Sequence, residues 1–349
     1  MKELLKELCL INGVSGDEND VRDAVIEKIK GKCEYRTDNL GNLICFKKGR
    51  KSPEKKLMIC AHMDEVGFIV TAVHSDGTLS FDMVGGVDAG VAIGRQVIVK
   101  NYSTGKFYSG VIGSTAVHNL SKQEREKAPE YSGLYIDIGA ENKEEAEKYI
   151  ELGDCVYFDS KFAELGEKRL KSKAIDDRAG CAMMIRLINE ELEYDTYCVF
   201  NVQEEIGLRG ARASAFAVAP DFAIVLEATT AADIDGASGA ERVCELGKGP
   251  VVSFMDRSTV YDKELYRLAF DIAKESDIPC QTKTMIAGGN DAGHKPDAGA
   301  IHISGSGVRT IAVSVPCRYL HSASCVIDRE DLDSSYALVK KLAKRICEI

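Results

Sequence analysis

The chain has 349 residues, 45% of them hydrophobic and 29% charged, and carries 45 Lys and Arg against 55 Asp and Glu, for a formal net charge of −10 at pH 7. That length exceeds what one core usually fills, and predicts two domains or one domain with an insertion. The acidic balance excludes ordinary nucleic-acid binding, which draws on clustered Lys and Arg, and no run approaches the roughly 18 uninterrupted apolar residues of a membrane span.

The twelve cysteines include no Cys-x-x-Cys pair. Cys60, Cys181 and Cys198 lie inside apolar runs and read as small buried hydrophobes of a reducing compartment. The first twenty residues are amphipathic and acidic, without the apolar core and cleavage site of a leader peptide, so a cytoplasmic protein is expected.

In chain order, Leu4, Leu5, Leu8 and Leu10 form a short helical stripe. SGDENDVRDAVIEKIKGK offers Ser15 as the N-cap of a second helix, with acidic residues in the first turn and a glycine stop. KKLMICAHMDEVGFIVTAV starts as a buried strand, is broken by polar residues, and resumes as a strand. From about 66 to 163, short β runs (FIVTAV, RQVIVKNY, SGVIG, LYIDIG, CVYF) alternate with Gly-rich turns around a charged SKQEREKAPE, which predicts a small, mostly antiparallel β-domain. A helix is expected from about 177 to 193, then a strand TYCVFNV, a helix from about Gly207 and a strand FAIVLEA. A helix over YDKELYRLAFDIAKES, a strand near TIAVSV and a last helix over REDLDSSYALVKKLAKRI complete the chain. The fold expected is an α/β sheet with helices on both faces, residues 1–65 and 166–349, with the β-rich segment 66–165 inserted.

Ligands of open α/β sheets collect at the carboxyl ends of strands. His62 and Asp64 follow LMICA, Glu204 and Glu205 follow VFNV, Glu227 ends FAIVL, and His321 lies beyond TIAVSVPCRYL. Asp176 and Asp177 open a helix, where a cap is the ordinary role of such a pair. His74 reads as a hairpin-loop residue, His118 as solvated or packed, and His302 as structural. Two adjacent glutamates at a buried strand end are costly unless a cation lies nearby. Two His and several carboxylates are a nitrogen and oxygen donor set suited to zinc, cobalt or manganese. With an aspartate as bridge between two ions, one glutamate would ligate while the other serves as general base.

The ordered motifs AHMDEVGF, AIDDRAG, QEEIGLRGA, VLEATTAAD, GGNDAG and RYLHS resemble those of the co-catalytic di-metal aminopeptidases of the tetrahedral, dodecameric type, a group with glutamyl, leucyl, lysyl and deblocking members, some labelled endoglucanases. The resemblance spans essentially the whole chain. It implies that His62 and Glu227 hold one divalent ion, Glu205 and His321 the other, and that Asp176 bridges them. It also implies Glu204 as general base, with Asp64 accepting the second N–H of His62 and Asp177 holding the loop. Short peptides would lose residues from their amino end inside a hollow particle of twelve subunits built from dimers through the inserted β-domain. Two departures stand out. Glu227 occupies a position where many relatives have Asp, and HKPDAG in GGNDAGHKPDAGAIHIS reads as a six-residue insertion repeating DAG. Asn290 and Asp291 are the substrate-loop candidates, and the insertion adds His294. The rival readings are a glycoside hydrolase, which needs two carboxyls and no metal, and a catalytically silent particle of the same fold.

Overall fold

The structure is a computed structural model that describes residues 1–119, 121–284 and 296–349. Its strands, in chain order, are β1 (Glu34–Thr37), β2 (Leu43–Lys47), β3 (Leu57–His62), β4 (Gly67–Val73), β5 (Leu79–Val84), β6 (Gln96–Lys100), β7 (Phe107–Ser114), β8 (Leu134–Asp137) and β9 (Cys155–Phe158). They continue as β10 (Ala163–Leu165), β11 (Arg169–Ser172), β12 (Thr196–Asn201), β13 (Phe222–Thr230), β14 (Val251–Ser253), β15 (Gln281–Thr282), β16 (Arg309–Arg318) and β17 (Cys325–Asp328). The larger sheet runs β1-β2-β12-β3-β13-β16-β17-β11-β10, with β14 and β15 attached beside β16. Its centre is parallel: β3 lies between β12 and β13, and β16 continues alongside β13.

These central strands are apolar on both sides, as strands covered on both faces must be. Leu57, Ile59 and Ala61 of β3 and Phe222, Ile224 and Leu226 of β13 face the larger core, which is filled by the helices Lys2–Leu10, Asn19–Ile29, Ile175–Asn189, Lys263–Glu275 and Arg329–Ile346. The alternate residues Met58, Cys60, Ala223 and Val225 face a second core under the helices Arg209–Val218 and Ala298–Ile301. The α/β expectation is met. The period of 2 also carries the next polar residues outward, because His62 and Glu227 continue the Met58/Cys60 and Ala223/Val225 rows on that second face.

The expected β-rich segment closes into a barrel, β4-β5-β8-β7-β6-β9, in which the registered pairs are all antiparallel. Phe68 meets Phe81 and Phe158 edge-on at its centre, with ring centroids 5.0 and 5.3 Å apart. β10 lies within 66–165 but pairs with β11 in the larger sheet. Side chains of two barrel strands join the two units: the Tyr157 hydroxyl of β9 and the Lys100 ammonium of β6 both donate to Asp17, just before the helix Asn19–Ile29.

Two local expectations are corrected. Ser15 does not cap that helix: its N-cap is Glu18, without a side-chain cap bond, and the Ser15 hydroxyl instead donates to Asp64 Oδ2 at 2.6 Å. The helix expected at 177–193 runs Ile175–Asn189, and Asp176 and Asp177, joined by a cis peptide, have non-helical backbone angles within it. All twelve cysteines are free, and no described helix is long and apolar enough to cross a membrane.

Candidate metal centre

Parallel pairing places His62 directly opposite Asn201, at the carboxyl ends of β3 and β12, with Glu227 near the end of β13 beside them. Asp176 arrives from the start of the helix Ile175–Asn189, where its Oδ1 accepts the N–H of Ala228 at 3.2 Å. His321 sits in the loop between β16 and β17. His62, Asp64, Asp176, Asp177, Glu204 and Glu227 are all buried, whereas Glu205 and His321 are half-buried.

Each imidazole is oriented by a backbone carbonyl. His62 Nδ1 lies 3.1 Å from the carbonyl oxygen of Asp64, and His321 Nδ1 lies 2.7 Å from that of Gly86. A carbonyl can only accept, so each Nδ1 carries a hydrogen, and Nε2 is the atom each ring can offer to a metal once it is neutral. Those nitrogens face carboxylates. His62 Nε2 is 3.6 Å from Asp176 Oδ1 and 3.8 Å from Glu227 Oε2. His321 Nε2 is 3.8 Å from Asp176 Oδ2 and 3.3 Å from Glu205 Oε1. The two oxygens of one aspartate thus face two different imidazoles.

Most of these separations are too long for hydrogen bonds, and His62 Nε2 has no hydrogen-bond partner among the described residues. Two of them fall within, and two lie 0.2 Å beyond, the distance between neighbouring ligands around a shared ion, about 3.3–3.6 Å for tetrahedral bonds of about 2.0–2.2 Å. Two three-residue groups result, His62, Asp176 and Glu227, and Asp176, Glu205 and His321, with Glu204 close to His62 and Glu205 in a third. The donor set fits a pair of divalent cations sharing Asp176.

The electrostatics show the strain of so many like charges. Burial pushes the Glu204 and Glu227 carboxyls well above the usual carboxylate range, and neighbouring carboxylates add to it. His321 loses proton affinity to burial, but Glu205 and Asp176 outweigh that loss and push it up to about 10. A cation among these groups would take the place of the protons they otherwise hold.

The opening of the glutamate turn explains how two adjacent acids are accommodated. Asp64 Oδ1 accepts the N–H of Glu204 at 3.0 Å and Oδ2 that of Glu205 at 3.1 Å, so the amides point back into the protein and leave the side chains facing the site. The expectation that the Asp64 carboxylate accepts the second N–H of His62 is corrected: that N–H instead bonds the Asp64 backbone carbonyl, and the carboxylate oxygen is 3.5 Å away. Asp177 accepts the N–H of Gly180 at 2.9 Å, the capping half of the Asp pair, while Asp176 turns into the site.

The barrel also takes part. Gly86, whose carbonyl orients His321, follows β5, and the preceding Gly85 (φ +82°) permits this approach, because a Cβ there would come within 2.8 Å of Val66. His74 bonds Ser80 in the β4–β5 hairpin, His118 is exposed, and His302 bonds the carbonyl of Ala298, each away from the centre.

Asn290, Asp291 and His294 lie outside the described residues. The second DAG supplies a site neighbour instead. Asp297 is fully buried, donates its backbone N–H to Glu227 Oε1 at 3.3 Å, and accepts Asn201 Nδ2 at 2.7 Å. Burial pushes its carboxyl up to about 6. The signal was present: this copy, not the first, runs directly into AIH. Asn201 and Gly86 carried no signal in the sequence.

The family model for M42 glutamyl aminopeptidase matches residues 41–338. The chain belongs to the M42 family. It is 40% identical to a putative aminopeptidase of Acetivibrio thermocellus over 99% of this chain and 98% of that one. It is 34% identical to a lysyl aminopeptidase of Pyrococcus furiosus over 99% and 97%. Among solved structures, it is similar to the TET1 peptidase of Pyrococcus horikoshii, described as able to assemble into a tetrahedron or a large octahedral shell, with a TM-score of 0.84 and 32% identity over 98% of both chains. This M42 chain is a peptide hydrolase.

Proposed function

We propose that this M42 chain is a metal-dependent aminopeptidase that removes the N-terminal residue of short peptides. The observation that carries the reading is the Asp176 carboxylate, whose two oxygens face the Nε2 atoms of His62 and His321. His62 and Glu227 would hold one divalent ion, Glu205 and His321 the other, and Asp176 both. Zinc, cobalt and manganese all suit these donors. Bound there, such ions would polarise the scissile carbonyl and make a water nucleophilic near neutral pH.

The protein's own groups do the rest. Glu205 is engaged with His321 at 3.3 Å, whereas Glu204 stands beside the cluster as a buried carboxylate. Glu204 takes the proton of the attacking water and delivers it to the nitrogen of the departing peptide. Asp64 fixes both glutamates through their amides. All five ligand positions hold competent donors, which speaks against a silent particle. The carboxylates are interleaved with imidazoles, unlike the paired carboxyls of a glycoside hydrolase.

The proposed division is a catalytic domain of 1–65 and 166–349 and an inserted domain within 66–165, with β10 belonging to the first. Twelve chains, paired as dimers through the barrel, would form the particle; the likeness to a TET1 structure described as a dodecamer supports a large assembly, and twelve free cysteines suit a cytoplasmic setting. Glu204→Gln tests the mechanism. Metal content by elemental analysis should stay at the wild-type level while kcat on aminoacyl-nitroanilides falls by about 10²–10⁴; undiminished turnover would reject Glu204 as the base.

A further inference from the structure

The turn Gln203–Glu205 carries the proposed base and a proposed ligand, and its first residue is strained. Gln203 has a φ of +54°, a left-handed conformation that costs a non-glycine residue on the order of 1–2 kcal/mol. What holds it comes from far upstream. Glu18, 5% exposed, uses one oxygen, Oε1, to accept the N–H of Gln203 at 3.0 Å and that of Gly16 at 2.8 Å. Ser15 donates to Asp64 Oδ2 at 2.6 Å, the oxygen that also receives the Glu205 N–H. Three successive amides, 203, 204 and 205, therefore end on two buried carboxylates, and the segment Ser15–Glu18 contributes to both. That segment precedes the residues matched by the family model.

We propose that Glu18 is a positioning residue for peptide hydrolysis: by accepting the Gln203 N–H it keeps the turn in the conformation that aims Glu204 and Glu205 into the site. The proposal rests on the reading of Glu204 as base and Glu205 as ligand. What matters is an acceptor at the right place. One oxygen takes both amides, and the amide oxygen of a glutamine has the two lone pairs this requires.

The test uses the full chain with Glu18→Ala, Glu18→Gln and Glu204→Gln. In E18A, kcat should fall about 10- to 100-fold with KM within about twofold, the range expected when a group that orients the reacting residues is lost. E18Q should recover most of kcat. Hydrogen–deuterium exchange in the peptide spanning 201–207 should rise in E18A and remain at the wild-type level in E18Q, in metal-loaded and metal-stripped protein alike. If E18A does not fold, E18D, one methylene too short to reach Gln203, replaces it with the same expectations. Wild-type kcat and exchange in E18A, or E18Q as impaired as E18A, would overturn the proposal. Full activity in E204Q with raised exchange in E18A would instead reject the base while leaving the clamp on the turn in place.

Discussion

Adjacent glutamates at a strand end illustrate how a residue's chemistry is set by where its backbone points. Desolvation alone makes Glu204 and Glu205 unfavourable as a charged pair. The structure offsets this by directing their amides onto Asp64 and their side chains toward two imidazoles. Each imidazole is held through Nδ1, which leaves one metal-binding atom per ring. His321→Ala should therefore lose one of the two proposed ions and keep the other, because His62, Asp176 and Glu227 still form a complete group. Elemental analysis after dialysis checks this; retention of both ions would remove His321 from the ligand set. The identity of these residues was legible from motifs, since strand ends are marked by a buried apolar run that stops at a polar residue. The roles of Ser15 and Asp297 were not. Ser15 has the local pattern of a cap, and only the approach of Asp64, 49 residues away, gives its hydroxyl a better acceptor.

At the scale of elements, the helix Lys263–Glu275 shows cap and ion pair acting on one carboxylate. Asp262 accepts the N–H groups of Glu264 and Leu265 at 2.9 and 3.0 Å, and Arg309 donates to both its oxygens at 2.7 and 3.1 Å. The Arg309 hydrogen bond holds the Asp262 carboxyl below its ordinary value. A depressed acid stabilises the fold above the unfolded value, near pH 4, and that stability is lost as pH falls through the lower folded value. Asp262→Ala should cost about 1–2 kcal/mol in urea melts at pH 7, and its gap from wild type should narrow below about pH 4. A gap independent of pH would show that the charge contributes nothing. The helix itself was readable from its periodicity. The barrel was readable as short antiparallel strands, but its closure was not, because β4 meets β9 across almost ninety residues of chain.

At the scale of the whole molecule, an acidic centre that holds cations would couple their binding to stability. Cations bound only by the folded chain stabilise it by about 2.7 kcal/mol at a hundred times the dissociation constant. Exhaustive chelation should abolish activity and lower Tm, and zinc or cobalt should restore both. Activity that survives chelation would end the metal-dependent reading. Light scattering should report a particle of twelve chains.

The amino-acid sequence by itself determined the strands and helices, the family, and the types of residue that gather at the strand ends, because apolar alternation and motif chemistry are local properties of the chain. Tertiary structure alone decided that Asp176 faces one imidazole with each oxygen, that a barrel carbonyl orients His321, and that Glu18 reaches the glutamate turn. These contacts join segments more than a hundred residues apart, and two of them end on backbone atoms, which every residue carries and no side-chain pattern can reveal.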